Sequence, residues 1–352
     1  MPNKIPPPHF LNIDTTKAFA ILSVIVIHAA APALSAFSIG TADWITALLF
    51  RTFSAPAVPL FLMCTGALFL RSDREIGIKV IWCRYIPRIL VALAVWALLY
   101  EALDLFRLAR SHPLSITDIL TVGRRLLTAK THFHFYYLFI IVLVYALIPL
   151  LRDLLCGIKK SHLHYLLTLW AIVGLFLPLL RQFRPFSLLT GIPLQYPLNM
   201  AWSSAGYCIL GHYLHENPPT SRKLPCLAAF AGFAGIFCGT VWLSLRRGTF
   251  QTAFLEGMTP FVALAAAGIF SLCRSFTPGT RRTRPLRYLA RASFCIYLVH
   301  DVFNILLRAF GLTAAAFHPL FSIPAVALLV LAASLGAYAA LSHIPIVNKW
   351  LI

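Results

Sequence analysis

Acidic side chains are scarce in this chain: 11 Asp and Glu stand against 30 Lys and Arg in 352 residues, a net charge of +19. Charge of either sign is scarce as well, at 12% of residues where a soluble domain carries about 25%. With 59% apolar residues and a mean hydropathy of +0.80, that shortage excludes a soluble globular fold and indicates an integral membrane protein. The basic excess does not describe a nucleic-acid surface, because Lys and Arg fall between long apolar runs, where membrane-flanking charges belong. A CxxC pair is missing. The eight cysteines lie in or beside apolar segments, so reduced thiols buried as small hydrophobes are expected, with neither a disulfide framework nor a metal site. GxSxG, HExxH, P-loop and dinucleotide fingerprints are also missing, which removes support for soluble-type hydrolase or nucleotide chemistry. No fixed-period repeat, heptad or low-complexity tract divides the chain. No basic leader with a small-residue cleavage site precedes the first apolar run, so that run is expected to stay as a membrane helix.

What is present is a series of apolar runs near the ~20-residue spanning length. They fall at 13–33, 46–70, 84–106, 133–151, 162–180, 200–215, 224–245, 258–274, 292–310 and 323–344. The expected architecture is therefore an all-α integral membrane protein, a polytopic bundle of about ten transmembrane helices. Residues 1–12, with Pro6, Pro7 and Pro8, read as a non-helical cytoplasmic lead-in, 13–345 as the transmembrane domain and 346–352 as a cytoplasmic tail. Placing both termini in the cytoplasm puts 19 of the 30 Lys and Arg residues on that side, as the positive-inside rule requires. Arg107, Arg110, Arg124, Arg125 and Lys130 go against the bias, crowding one outer loop around an amphipathic stretch, Ser115 to Leu127. The segment Arg274 to Arg291 carries six arginines, suited to lipid headgroups or to a polyanionic cytosolic ligand. The outer stretch Arg181 to Met200, with Gln195, Tyr196 and Asn199, reads as a solvated loop or a polar rim for a sugar-like acceptor.

Polar groups inside apolar runs carry the functional signal, because burying them in lipid is costly. The first run, Asn12 to Pro32, holds Asp14 and Lys17 at its start and His28 deep inside. Lys17 and His28 are eleven residues apart, about three turns and roughly 16 Å along one helix face. Taken alone, Lys17 could be a snorkelling anchor, Asp14 a helix-start residue and His28 a ring bonded to a neighbouring carbonyl. A second mid-membrane histidine in SFCIYLVHD (His300, with Tyr297 one turn before it and Asp301 after it) favours a shared cavity over two accidents. His134 and Tyr136 open the fourth run. Arg51 leads into the APAVPLFLMCTGALF segment, whose Pro56 and Pro59 should interrupt a membrane helix. The set points to histidine acid/base or nucleophilic work in a membrane cavity. A secondary transporter of a glycan or polar solute is the alternative, since mid-membrane histidines also relay protons.

Four blocks, in order, resemble the acyltransferase-3 family of integral membrane O-acyltransferases. They are Lys17-AFAILSVIVI-His28 preceded by IDTT, VPLFLMCTGALF (Val58 to Phe69), HFYYLFIIVLVYALIPLL from His134, and SFCIYLVH (Ser293 to His300). The family's cation at the Lys17 position is usually arginine, and Ala55 stands where some relatives carry arginine; Arg51, one turn earlier, is the candidate substitute. The short branch without an appended soluble domain, typified by the O-acetyltransferase of enterobacterial common antigen, is the most similar. The resemblance implies transfer of an acetyl group from cytosolic acetyl-CoA to a hydroxyl of a carbohydrate or lipid-linked glycan, by a multi-pass protein of the inner membrane. It implies His28 as general base or acyl carrier, Lys17 and Asp14 beside it in the catalytic set, and Arg51, His134, Tyr136, Tyr297 and His300 lining the substrate cavity, with no metal.

Overall fold

The computed structural model describes residues 8–71, 76–110, 113–128, 132–188, 200–276 and 280–352. Among them the chain is helical, with no strand. A bilayer leaves no water for unpaired backbone groups, and helices satisfy those groups within each segment. Eight helices are long and apolar enough to cross: Leu11–Ala36, Ala42–Phe69, Ile78–Ala109, Phe133–Leu155, Lys160–Leu180, Lys223–Arg247, Thr283–Ala309 and Pro319–Ser342. Two further expected spans are apolar helices of 17 and 15 residues, Met200–Glu216 and Pro260–Arg274. At 1.5 Å per residue they reach about 23–26 Å, less than the roughly 30 Å hydrocarbon thickness.

Helix boundaries follow local chemistry. The first helix, α1 (Pro8–Ala36), starts inside what the sequence suggested was a non-helical lead-in. Pro8 takes its opening position, where a missing N–H costs nothing; Pro6 and Pro7 lie outside the described residues. The Ala42–Phe69 crossing is two helices, α2 (Ala42–Ser54) and α3 (Ala57–Phe69), parted at the expected proline, Pro56. Thr41 caps α2 by accepting the Trp44 N–H at 3.3 Å. The amphipathic stretch forms a helix, Ile116–Leu127, held by a capping box between Ser115 and Asp118. Ile116, Leu120 and Leu127 stay exposed on it, as suits a helix lying along a membrane surface.

The helix carrying His300, Thr280–Ala309, begins twelve residues before the expected span at 292. Arg284, Arg287 and Arg291 therefore stand on its first turns rather than in a loop. Good helix formers (Leu, Arg and Ala) supply most of this stretch, which stays helical despite Pro285 near its start, and a helix can run past the bilayer edge. Residues 277–279 of the arginine segment, and Gln195, Tyr196 and Asn199 of the proposed polar rim, lie outside the described residues.

α1 sits at the centre, packed against α2, α3, Pro260–Arg274, Thr280–Ala309 and Pro319–Ser342. Its Ala18, Ala20, Ala29, Ala30 and Ala33 are buried, letting neighbouring backbones come close. α3 crosses Met200–Glu216 more closely still. A Cβ on Gly66 would stand 1.9 Å from the Cys208 carbonyl oxygen, and one on Gly211 would stand 2.3 Å from the Met63 carbonyl oxygen. Only glycine fits either place. All eight cysteines are free thiols, but the expectation that they are buried holds for Cys64, Cys208 and Cys295 only. Cys273 is half-buried, and Cys83, Cys156, Cys226 and Cys238 are exposed on outward helix faces and helix ends.

Candidate active site

α1, the turn before Tyr136 and the Thr280–Ala309 helix bring three histidines close together. The His28 ring lies 5.0 Å from the His300 ring and 5.3 Å from that of Phe133, centroid to centroid. The His134 ring, on the 3-10 turn Phe133–Phe135, stands 5.3 Å from that of His300. His300 Nδ1 lies 2.7 Å from the Tyr297 carbonyl oxygen and 3.1 Å from that of Ile296. Both partners are acceptors, so Nδ1 carries the hydrogen and Nε2 keeps its lone pair. That Nε2 is buried with no hydrogen-bond partner.

A cavity of about 400 Å³ opens beside these rings, lined by His28, Arg51, His134, Tyr136, Tyr297 and Glu256 among apolar neighbours. Arg51 reaches it from the last turn of α2, just before the Pro56 break. One terminal nitrogen of its guanidinium, Nη1, is buried without a hydrogen-bond partner. The Tyr297 hydroxyl donates to the His134 carbonyl, fixing the turn against the long helix. The chamber therefore offers imidazole lone pairs as proton acceptors, a fixed cation and room for a small polar group.

Behind His300 lies a second polar layer. Asp301 Oδ1 is 3.4 Å from both Arg308 Nη2 and Asn304 Nδ2, and its Oδ2 is 3.7 Å from His132 Nδ1. His132 Nε2 is 3.2 Å from Asp104 Oδ2. Burial works against a charged His132 ring, but the neighbouring carboxylates of Asp301 and Asp104 outweigh it and raise its pKa above the ordinary imidazole value. The Tyr100 hydroxyl donates to the Leu298 carbonyl at 2.9 Å and accepts from the Val302 N–H at 3.2 Å, tying Ile78–Ala109 to the helix that carries His300. Arg125, from the amphipathic helix, pairs at 3.6 Å with the buried Glu101.

His28, Arg51, His134, Tyr136 and Tyr297 meet at the one cavity, with His300 against its wall. Lys17 and Asp14 do not line it. They sit three turns away on α1, where Asp14 lies within electrostatic reach of Lys17, Arg287 and Arg291. Sequence reasoning passed over Glu256, Asp104, Glu101 and His132. Glu101 and Asp104 had a readable signal, two carboxylates inside an otherwise apolar run. Glu256 had none, standing in an ordinary polar loop.

Fold and site define a polytopic helical membrane protein with a histidine-lined chamber. A family model described as an acyltransferase domain matches residues 10–341, and the chain belongs to that acyltransferase-3 family. It is a multi-pass membrane acyltransferase. No curated protein and no solved structure matches it.

Proposed function

We propose that the protein is an O-acetyltransferase of the inner membrane, both termini cytoplasmic, moving acetyl from acetyl-CoA to a hydroxyl of a cell-surface or lipid-linked carbohydrate. The observation that carries this reading is the placement of His28: its ring lines a largely apolar cavity together with Arg51 and His134 and abuts His300. His28 takes the proton of the acceptor hydroxyl as the oxygen attacks the thioester carbon. The Arg51 guanidinium faces the negative charge that gathers on the carbonyl oxygen. Collapse of the tetrahedral intermediate breaks the C–S bond, and the departing thiolate takes the proton from the imidazolium. In the covalent variant the His28 nitrogen attacks the thioester carbon first, the C–S bond breaks and the thiolate leaves with the imidazole proton. The hydroxyl oxygen then attacks the acyl carbon, the C–N bond breaks and the hydroxyl proton passes to the freed ring nitrogen. Both routes use the same ring and the same cation.

Lys17, Arg287 and Arg291 form the donor end, their charges matching the phosphates of coenzyme A. Asp14 orients Lys17. The direct test incubates purified protein with radiolabelled acetyl-CoA and a membrane-glycan extract. Label in the glycan that disappears with His28→Ala is the expected result. Transfer at wild-type rate in that variant removes His28 from the mechanism, and solute flux in proteoliposomes without transfer would point to a transporter.

A further inference from the structure

We propose that His132, His134 and Asp301 form a binding site for a divalent transition-metal ion of the zinc class. One ligand atom from each lies within 4.8 Å of the others. Three points so placed share a centre no more than about 2.8 Å from each, so shifts below 1 Å reach the roughly 2.0–2.2 Å of zinc bonds to imidazole and carboxylate. The His132 Nδ1 to Asp301 Oδ2 separation of 3.7 Å is already near the roughly 3.4 Å between two ligands of a tetrahedral zinc. Two imidazoles and one carboxylate are a donor set suited to such ions, with a further position left open.

The hydrogen bonding points the same way. His132 Nδ1, Asp301 Oδ2 and both ring nitrogens of His134 are buried without hydrogen-bond partners. The far side of two ligands is anchored: Asp104 Oδ2 holds His132 Nε2, while Arg308 and Asn304 hold Asp301 Oδ1. A carboxylate on the distal nitrogen of a histidine is the usual outer shell of a metal site, fixing tautomer and ring orientation. His134, 1% exposed, has its backbone carbonyl pinned by the Tyr297 hydroxyl. The ligands come from the turn before Tyr136 and from the helix after His300, so a bound ion would clamp the two walls of the cavity together. In sequence the third ligand, Asp301, lies more than 160 residues from His132 and His134.

The test measures ion binding and is independent of any acyl-transfer assay. Untagged, detergent-purified full-length protein is stripped with chelator, given one equivalent of Zn²⁺, and assayed for retained metal and for affinity against a fluorescent zinc chelator. One ion per chain is expected. His132→Gln, His134→Ala and Asp301→Asn should each weaken binding at least tenfold, and Asp104→Asn about tenfold through the outer shell. Co²⁺ in the site should give the visible absorption of a low-coordinate nitrogen–oxygen environment, lost in Asp301→Asn. Wild-type protein that retains no zinc overturns the proposal and leaves a hydrogen-bonded Asp–His–Asp bridge. Zinc retained equally by wild type and all four variants overturns it as well, showing binding elsewhere on the surface.

Discussion

At the scale of single residues, the chamber divides its work between an imidazole and a guanidinium. His28→Ala should lower acetyl transfer by about 10²–10⁴-fold, the usual share of general acid–base catalysis, with unchanged expression and melting temperature. Arg51→Ala should lower kcat by about 10²–10³-fold, the loss seen when one charge-stabilising donor is removed, and Arg51→Lys should recover only part of it. If Arg51→Ala raised KM alone, Arg51 would bind substrate without favouring the transition state. Lys17 is expected to behave differently because it lies outside the chamber: Lys17→Arg keeps activity, while Lys17→Ala raises KM for acetyl-CoA well above the effect on kcat. Steady-state kinetics at varied donor concentration separate the two outcomes. His28, His300 and Arg51 were legible in the sequence because ionisable groups in lipid need a reason. Glu256 and the His132–Asp104 pairing were not, because only the folded backbone brings those loops and helix ends together.

At the scale of elements, close backbone crossings do what large apolar cores do in water. Lipid tails compete with apolar side chains for contact, so α3 and Met200–Glu216 gain from approaching until their backbones touch. Gly66→Val and Gly211→Val would drive a Cβ into a carbonyl group and should destabilise the protein by at least about 1–3 kcal/mol, visible as a lower melting temperature in detergent. Gly123→Ala is the control. Its Cβ meets nothing within 4 Å on an exposed helix, so stability should hold or rise slightly. The elements themselves were readable from hydropathy, and the α2–α3 interruption from Pro56. Helix starts were not. The first helix and the His300 helix both begin several residues before their apolar runs, since hydropathy marks where lipid begins and says little about where hydrogen bonding does.

At the scale of the whole molecule, the asymmetric spread of Lys and Arg sets the expected orientation. In a background lacking the exposed Cys83, Cys156, Cys226 and Cys238, a membrane-impermeant maleimide should label Thr117→Cys on intact cells. It should reach Asn348→Cys only after the membrane is opened. The reverse pattern would invert the molecule and remove the cytosolic donor from the proposal.

The gap between Lys17 and His28 then acts as a ruler. Roughly 16 Å of helix separates the cation that would grip the donor's phosphates from the ring that would meet its thioester, so the carrier must be a long, thin arm anchored at its far end. A truncated thioester with the same reactive carbon and no nucleotide, such as S-acetyl-N-acetylcysteamine, should be a poor donor at any practical concentration. Comparable kcat/KM for the short and the full-length donors would show that the two stations work independently.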